Sequence, residues 1–411
     1  MKLTSELISE LCTEYGDSFY LLNTNKFKNN FIELQGALRK YYKKSYIAYS
    51  YKTNYIPALC KIVDDLGGYA EVVSDMECDI ALKLGVNPKK IVFNGPYKKK
   101  DAVNKLILDG ATINIDSLYD FNIVLELAKM NRDKKISIGI RCNFDVEDGI
   151  TSRFGFDVEE DTFYNVLNRI QQEENMKLKG FHCHFASRDL EVWKNKVDKM
   201  LSLVKRVYKE IPEFICLGGG IYGKMEGSLK RQFKSYIPSY NEYAGIIAKR
   251  FHEEYSGYPE QIQPKLFIEP GSALAGDVMQ FIARIINIKT VRGKNIATLL
   301  GSVYNINPTL NGKNPPIEIV HTSELPQIKY TNLDFGGYTC IESDYLYKGF
   351  KGNCVEGDSV IFSNIGSYSI VLKPPFILPN FPVLEIDEQN QQVNLIKSKE
   401  NFDNLFSTYV F

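Results

Sequence analysis

Lys52 lies in the segment Ala48-Tyr49-Ser50-Tyr51-Lys52-Thr53-Asn54-Tyr55, at the end of a β-rich run and between small and aromatic groups. Shielded from bulk water, such an amine is expected to fall below the free lysine value of about 10.4 and to act as an imine-forming nucleophile. His182 and His184 share one face of a strand, because strand side chains alternate with a period of two, and Cys183 points the other way. An H-x-H pair suits a metal, or, for His184, stacking on a planar cofactor. The remaining histidines, His252 and His321, fall at no predicted strand end, so the stacked ring is the favoured reading and no metal is assigned. Gly218-Gly219-Gly220 offers bare backbone N–H groups where a side chain would block approach, which fits a phosphate. A triple glycine also makes a plain flexible turn. Ser187, just beyond His184, adds a hydroxyl to the same anion site. Glu269 opens Glu269-Pro270-Gly271; a carboxylate there either caps a turn or pairs with a protonated ring nitrogen, the arrangement that makes a pyridinium an electron sink. Cys340, in a turn-rich stretch with Glu342 and Asp344, is the expected reactive thiol.

A repeated strand and helix pattern can position these groups. Eight short apolar runs each close on a polar residue or a glycine: Ser45–Tyr51 on Lys52, Tyr69–Val73 on Ser74, Ile91–Phe93 on Asn94, Thr112–Ile115 on Asp116, Ile136–Ile140 on Arg141, Gly180–Cys183 on His184, Phe214–Leu217 on Gly218, and Lys265–Ile268 on Glu269. Helix-length amphipathic stretches such as Leu118–Met130 and Glu191–Lys209 separate them, and a helix after the second run has Asp75 as an acidic N-cap candidate. Repeated βα units predict an α/β fold with a closed parallel barrel, whose catalytic groups sit at the strands' carboxyl ends. Beyond Gly276 the texture becomes short β-branched runs bounded by Gly, Pro and Asn, such as Gln280–Val291 and Ser359–Asn364, which predicts an antiparallel β domain. The expected division is a barrel over 25–275 and a β domain over 276–411 with 1–24, Phe19–Leu22 supplying it with a strand.

Bulk properties narrow the function. The 411 residues carry 50 basic and 50 acidic side chains, with no like-charge run longer than Lys98-Lys99-Lys100, so no nucleic-acid footprint is expected. The polar start and the lack of a long apolar stretch predict neither a secretory signal nor a membrane span, hence a cytoplasmic protein. The eight cysteines are scattered without a CxxC pair, which argues against a structural zinc site or a disulfide scaffold.

Taken in chain order, from about Phe19 to Tyr368, these segments resemble the fold-type III pyridoxal 5′-phosphate (PLP) enzymes, in particular the diaminopimelate and ornithine decarboxylase group. AYSYKTN is similar to the cofactor-lysine motif, GYAEVVSDMECDIAL to the stretch after the second strand, GFHCHFAS to the histidine motif, LGGG to the phosphate loop and EPGS to the Glu-Pro-Gly motif. TCIESD resembles the segment carrying a cysteine general acid, and GDSVIFSNIGSY the terminal motif whose tyrosine, here Tyr368, meets the phosphate. The resemblance implies a PLP-binding (β/α)8 TIM barrel with an alanine-racemase-like C-terminal β domain. It implies that Lys52 holds PLP, with Glu71, Ser74, His184, Ser187, Gly218, Gly219, Gly220, Glu269, Gly271 and Tyr368 around the cofactor. Catalysis would fall to Lys52, His184, Glu269 and Cys340, the cysteine supplied across a homodimer with shared active sites. Asp344, Glu342, Ser272, Asn307 and Asn311 occupy the substrate positions.

Departures from that family refine the expectation. Ser272 stands where an arginine usually follows Glu-Pro-Gly, and Asn307-Pro308-Thr309-Leu310-Asn311 replaces Arg-Pro-x-x-Tyr. Ala186 replaces a glycine, and Glu342 lies two positions after the cysteine instead of one. Loss of a bidentate arginine removes the natural partner of a distal carboxylate, so the expected reaction is decarboxylation of an amino acid or amino-acid conjugate other than meso-diaminopimelate. An amino-acid racemase of the same fold and a catalytically silent PLP-binding homologue are the alternatives.

Overall fold

Apolar runs too short to bury themselves alone line up side by side: β1 (Ser45–Ser50), β2 (Tyr69–Val72), β3 (Ile91–Phe93), β4 (Thr112–Ile115), β5 (Ile136–Asn143), β6 (Met176–Phe185), β7 (Phe214–Gly219) and β8 (Lys265–Glu269). In the computed structural model, which describes residues 3–388, 390 and 392–411, each strand pairs in parallel with the next. The ring closes where β8 meets β1 in the register Leu266↔Ser45 to Ile268↔Ile47. Covered on both faces, the strands are nearly continuous in buried residues, as a barrel wall ringed by helices requires. The helix Leu190–Val207 turns Trp193, Val197, Met200, Leu201 and Val204 inward. Tyr240–Tyr255 is started by a reciprocal Ser239–Glu242 capping box.

Two strands run farther than their sequence suggests. β5 continues to Asn143 and β6 to Phe185, so Arg141 and His184 lie within strands and not just past them. The alternate neighbours Cys142, Cys183 and Phe185 are buried, which keeps the ladder going beneath the polar residues. β7 likewise takes in Gly218 and Gly219. The helix Asp75–Lys83 is capped by Ser74, not by Asp75: extended Ser74 accepts from Glu77 N at 3.2 Å, while Glu77 Oε2 accepts from Val73 N at 2.8 Å.

The short strand Phe156–Asp157 joins the barrel sheet beside β5, and the other strands form a second, nine-stranded sheet, mostly antiparallel, in the order Tyr345–Cys354, Ile328–Gly336, Lys294–Leu299, Met279–Val291, Ser18–Leu22, Val383–Asp387, Gln392–Lys397. Ser359–Phe362 pairs with both Met279–Val291 and Ile317–Val320. Two pairings are parallel, one being Ser18–Leu22 on Val383–Asp387. Contacts group Lys28–Tyr222 with Tyr236–Ala273 as the barrel unit, and Met1–Phe27, Gly223–Ser235 and Leu274–Phe411 as the β unit. The Gly223–Ser235 segment therefore groups with the β unit although it lies inside the 25–275 stretch; one tie is Gln232 Nε2 donating to Asn314 O at 2.9 Å. Among the described residues, no helix is long and apolar enough to cross a membrane.

Candidate active site

Glu269 ends β8 with its carboxylate fully buried and surrounded by polar partners. Asn94 Nδ2 donates to Oε1 at 2.7 Å and the Cys216 thiol to the same oxygen at 2.9 Å. His182 Nε2 lies 3.1 Å from Oε1 and His184 Nδ1 3.2 Å from Oε2. Burial alone would raise this carboxyl; His182, and hydrogen bonds from both imidazoles, overcome that and hold it well below its ordinary range. The group is a carboxylate, able to neutralise a cation placed beside it. Burial pushes His184 down, against the pull of Glu269, and leaves 27% of its side chain exposed, room for a flat ring to cover it.

Lys52 sits in a one-turn helix, Tyr51–Thr53, directly after β1. It forms a short ion pair with Glu71, whose side chain is 1% exposed and also accepts from Asn94 Nδ2 at 3.1 Å. Asn94 therefore ties Glu71 to Glu269, and its own Oδ1 accepts from Asn114 Nδ2 at 2.8 Å. The expectation of a depressed lysine is corrected here: burial lowers it, but Glu71 and Glu269 outweigh burial and the net shift is upward. The amine of the free enzyme is an ammonium held by Glu71.

The glycine run has no room for side chains. A Cβ on Gly218 would lie 2.1 Å from Glu269 Oε2 and 2.3 Å from His184 Nδ1. Gly219 has φ +140°, a backbone state that L side chains rarely adopt, and a Cβ there would meet Phe185 O at 2.2 Å. A Cβ on Gly271 would strike Thr53 Oγ1, a buried hydroxyl that has no hydrogen-bond partner. An amine, a part-exposed imidazole, a buried carboxylate and a bare glycine loop thus converge within one barrel, the set of groups that a phosphorylated pyridine aldehyde needs.

Other predicted residues are engaged differently. Ser74 serves as the helix cap described above, and Ser187 Oγ accepts from Asp189 N at 3.3 Å in a local turn. Ser272 is half-buried at the start of the short helix Ser272–Ala275. In the β unit, Asp344, expected at the substrate's far end, anchors a loop. Its side chain is buried; Oδ1 accepts from Ser302 Oγ at 3.0 Å and Val303 N at 2.7 Å, and Oδ2 from Thr339 Oγ1 at 2.6 Å. Both oxygens are spent holding the turn that carries Cys340. Cys340 and Glu342 are exposed, and Cys340 is the one exposed cysteine of the eight. Asn307 and Asn311 close a small turn on each other, Asn311 N donating to Asn307 Oδ1 at 3.4 Å. Tyr368 is half-buried with φ +65°, a strained state for a tyrosine. Asn94, Asn114, His182 and Cys216 were not assigned to the site from sequence. Asn94 stood at a strand end, and Cys216 and His182 alternate with Gly218 and His184 on their strands, which is the signal that marks them.

Residues 28–276 match the model of a protein family described as "Pyridoxal-dependent decarboxylase, pyridoxal binding domain". The chain belongs to this family. It is a PLP-dependent carboxy-lyase acting on amino acids, and its fold is a PLP-binding barrel with a β domain. The decarboxylase is 25% identical to diaminopimelate decarboxylase of Aquifex aeolicus (strain VF5), covering 96% of this chain and 92% of that one. The crystal structure of diaminopimelate decarboxylase from M. jannaschii superposes with a TM-score of 0.82 at 22% identity, over 98% of this chain and 94% of that one. Lysine/ornithine decarboxylase from Vibrio vulnificus, complexed with cadaverine, gives a TM-score of 0.75 at 16% identity, over 93% and 98%.

One buried acid beside this decarboxylase's lysine sets a pH dependence. Burial pushes Glu77 up to about 7, with Glu71 adding to the rise and the Val73 N–H and Lys52 opposing it. Its ordinary value is 4.5, so between 4.5 and 7 the folded chain binds the extra proton. This contribution is fully present below the unfolded value and is lost as pH rises through about 7. Urea unfolding of wild type at pH 5 and pH 8 should show that loss, about 2–3 kcal/mol, and Glu77→Gln should remove it. Equal slopes in the two proteins would dismiss Glu77 as the source.

Proposed function

We propose that this decarboxylase works on an amino acid or amino-acid conjugate lacking the distal carboxylate of meso-diaminopimelate, as a cytoplasmic homodimer with shared active sites. The carrying observation is that none of the positions matched to substrate recognition, Ser272, Asn307, Asn311, Glu342 and Asp344, carries a positive charge. A far-end carboxylate calls for a fork of cationic donors, which these side chains cannot supply. The substrate named for the Aquifex aeolicus relative argues for diaminopimelate, whereas the Vibrio vulnificus neighbour shows that the fold also accommodates basic amino acids. The eight free cysteines suit a reducing compartment.

Bound PLP supplies an electron sink for the pair released as CO2 departs. Lys52 Nζ would hold the cofactor, and the Glu71 carboxylate orients that amine. Glu269 keeps a proton on the ring nitrogen, and the two imidazoles and the Cys216 thiol fix its carboxylate in place. His184 presents its accessible side to the ring. Gly218, Gly219 and Gly220 would cradle the phosphate. Cys340 of the partner subunit returns the proton to Cα: its thiol is exposed, while burial pushes the Cys78, Cys183 and Cys354 thiols up to about 12.

The test is CO2 release, with PLP added, from meso-diaminopimelate, lysine, ornithine, arginine and amine-bearing conjugates. Turnover of one of the others at least a hundredfold faster than of diaminopimelate is expected. Diaminopimelate as the best substrate would overturn this reading.

A further inference from the structure

Lys196 has no part in the chemistry above. It projects from the helix Leu190–Val207, is 1% exposed, and donates through Nζ to Gly218 O at 2.8 Å. A Cβ built on Gly219 would lie 2.8 Å from the same Nζ, so the amine packs directly against the backbone of the glycine loop. The Trp193 ring covers it from another side. Among the described residues no carboxylate forms an ion pair with it. The acidic groups that reach it are the Cys183 thiol and Glu269, and Glu269 is already committed to four other donors. Burial pushes this lysine down to about 7.

An ammonium placed in the interior without a counter-ion is costly, and a lone hydrogen bond to one carbonyl does not require a charge. What the glycine loop does have is space for an anion. Within the barrel, the other groups assigned to that anion are the glycines and Ser187, none of them charged. Arg188 approaches Gly220, but its guanidinium lies over the Tyr222 ring, 5.0 Å from the centroid, and it is half-exposed.

We propose that Lys196 is the buried cation of the phosphate site: a positioning residue whose charge acts through the Gly218–Gly219 backbone to complement the cofactor phosphate. The inference rests on the reading that the glycine loop holds that phosphate. The missing counter-ion then arrives with the cofactor, and PLP uptake charges the amine fully.

The experiment compares PLP with pyridoxal, which lacks the phosphate, by absorbance titration of the apo-enzyme. Lys196→Gln keeps a donor for Gly218 O without the charge, Lys196→Arg keeps the charge, and thermal unfolding of each confirms the fold. Lys196→Gln should bind PLP at least about tenfold more weakly, with pyridoxal affinity unchanged and Lys196→Arg within about threefold of wild type; tenfold is about 1.4 kcal/mol. Equal weakening of both ligands would show that Lys196 only braces the loop, and no change in either would show that its charge is irrelevant; both overturn the proposal. Wild type binding PLP no more tightly than pyridoxal would instead remove the glycine-loop reading on which the proposal stands.

Discussion

Replacing Lys52 by arginine is expected to lower CO2 release by about a thousandfold or more while leaving the fold intact. Arginine keeps the positive charge facing Glu71, so the nearly buried carboxylate retains a partner. It cannot shed its proton near neutral pH, and so it cannot become the nucleophile that attaches the cofactor. Lys52→Ala should lose activity equally but also some stability, because it strands Glu71 with only the Asn94 amide. That cost is about 1–2 kcal/mol, scaled down from a fully buried pair because 29% of the lysine side chain meets solvent. Borohydride treatment of wild-type enzyme with PLP, followed by peptide mapping, should leave a pyridoxyl group on Lys52 and none in either variant. A mark on another lysine, or an arginine variant with a tenth of wild-type kcat, would move the catalytic amine elsewhere.

The ion pair with Glu71 also shows where sequence reading stops. The position of Lys52 at the head of the first βα loop was legible, because a β-rich run and an amphipathic helix bracket it. Its charge state was not. Local sequence around Lys52 is small or aromatic and carries no charge, which suggests a depressed amine, whereas the deciding carboxylate comes from the neighbouring strand. The same holds for the centre of the site. Asn94 and Glu269 are 175 positions apart in the chain and 2.7 Å apart in the barrel. No periodicity links them; only closure of the sheet does. The glycine loop and Glu269 were recognisable because their spacing after strands is itself the signal, while Lys196 hides within an ordinary amphipathic helix. In the β unit, Ile328–Gly336 and Tyr345–Cys354 are hard to read from sequence, because few of their residues are buried and their pairing register is irregular, so neither alternation nor an apolar run marks them. The helix Ser5–Tyr15 was missed for a related reason: it buries only Ile8 and Leu11 in a stretch that reads as polar.

Glu269→Gln is the second change expected to act strongly, and it separates charge from shape. The two side chains have nearly the same volume, so the close approach to Gly218 is preserved. What changes is the acceptor inventory. The carboxylate receives the Asn94 amide, the Cys216 thiol and the two imidazoles; an amide replaces one accepting oxygen by a group that only donates. One imidazole can turn its acceptor nitrogen toward the new N–H, which limits the stability cost to about 1–3 kcal/mol. The loss of charge has no such remedy. Without an anion beside it the ring nitrogen gives up its proton, the electron sink weakens, and kcat should fall by about a hundred- to a thousandfold. Because Lys52 and the glycine loop are untouched, PLP should still bind and still be trapped on Lys52 by borohydride. Intact cofactor attachment with lost turnover is thus the signature that assigns Glu269 to the ring nitrogen. Loss of PLP binding would make it a scaffold for the histidines, and retained turnover would mean that the reaction does not need a protonated ring.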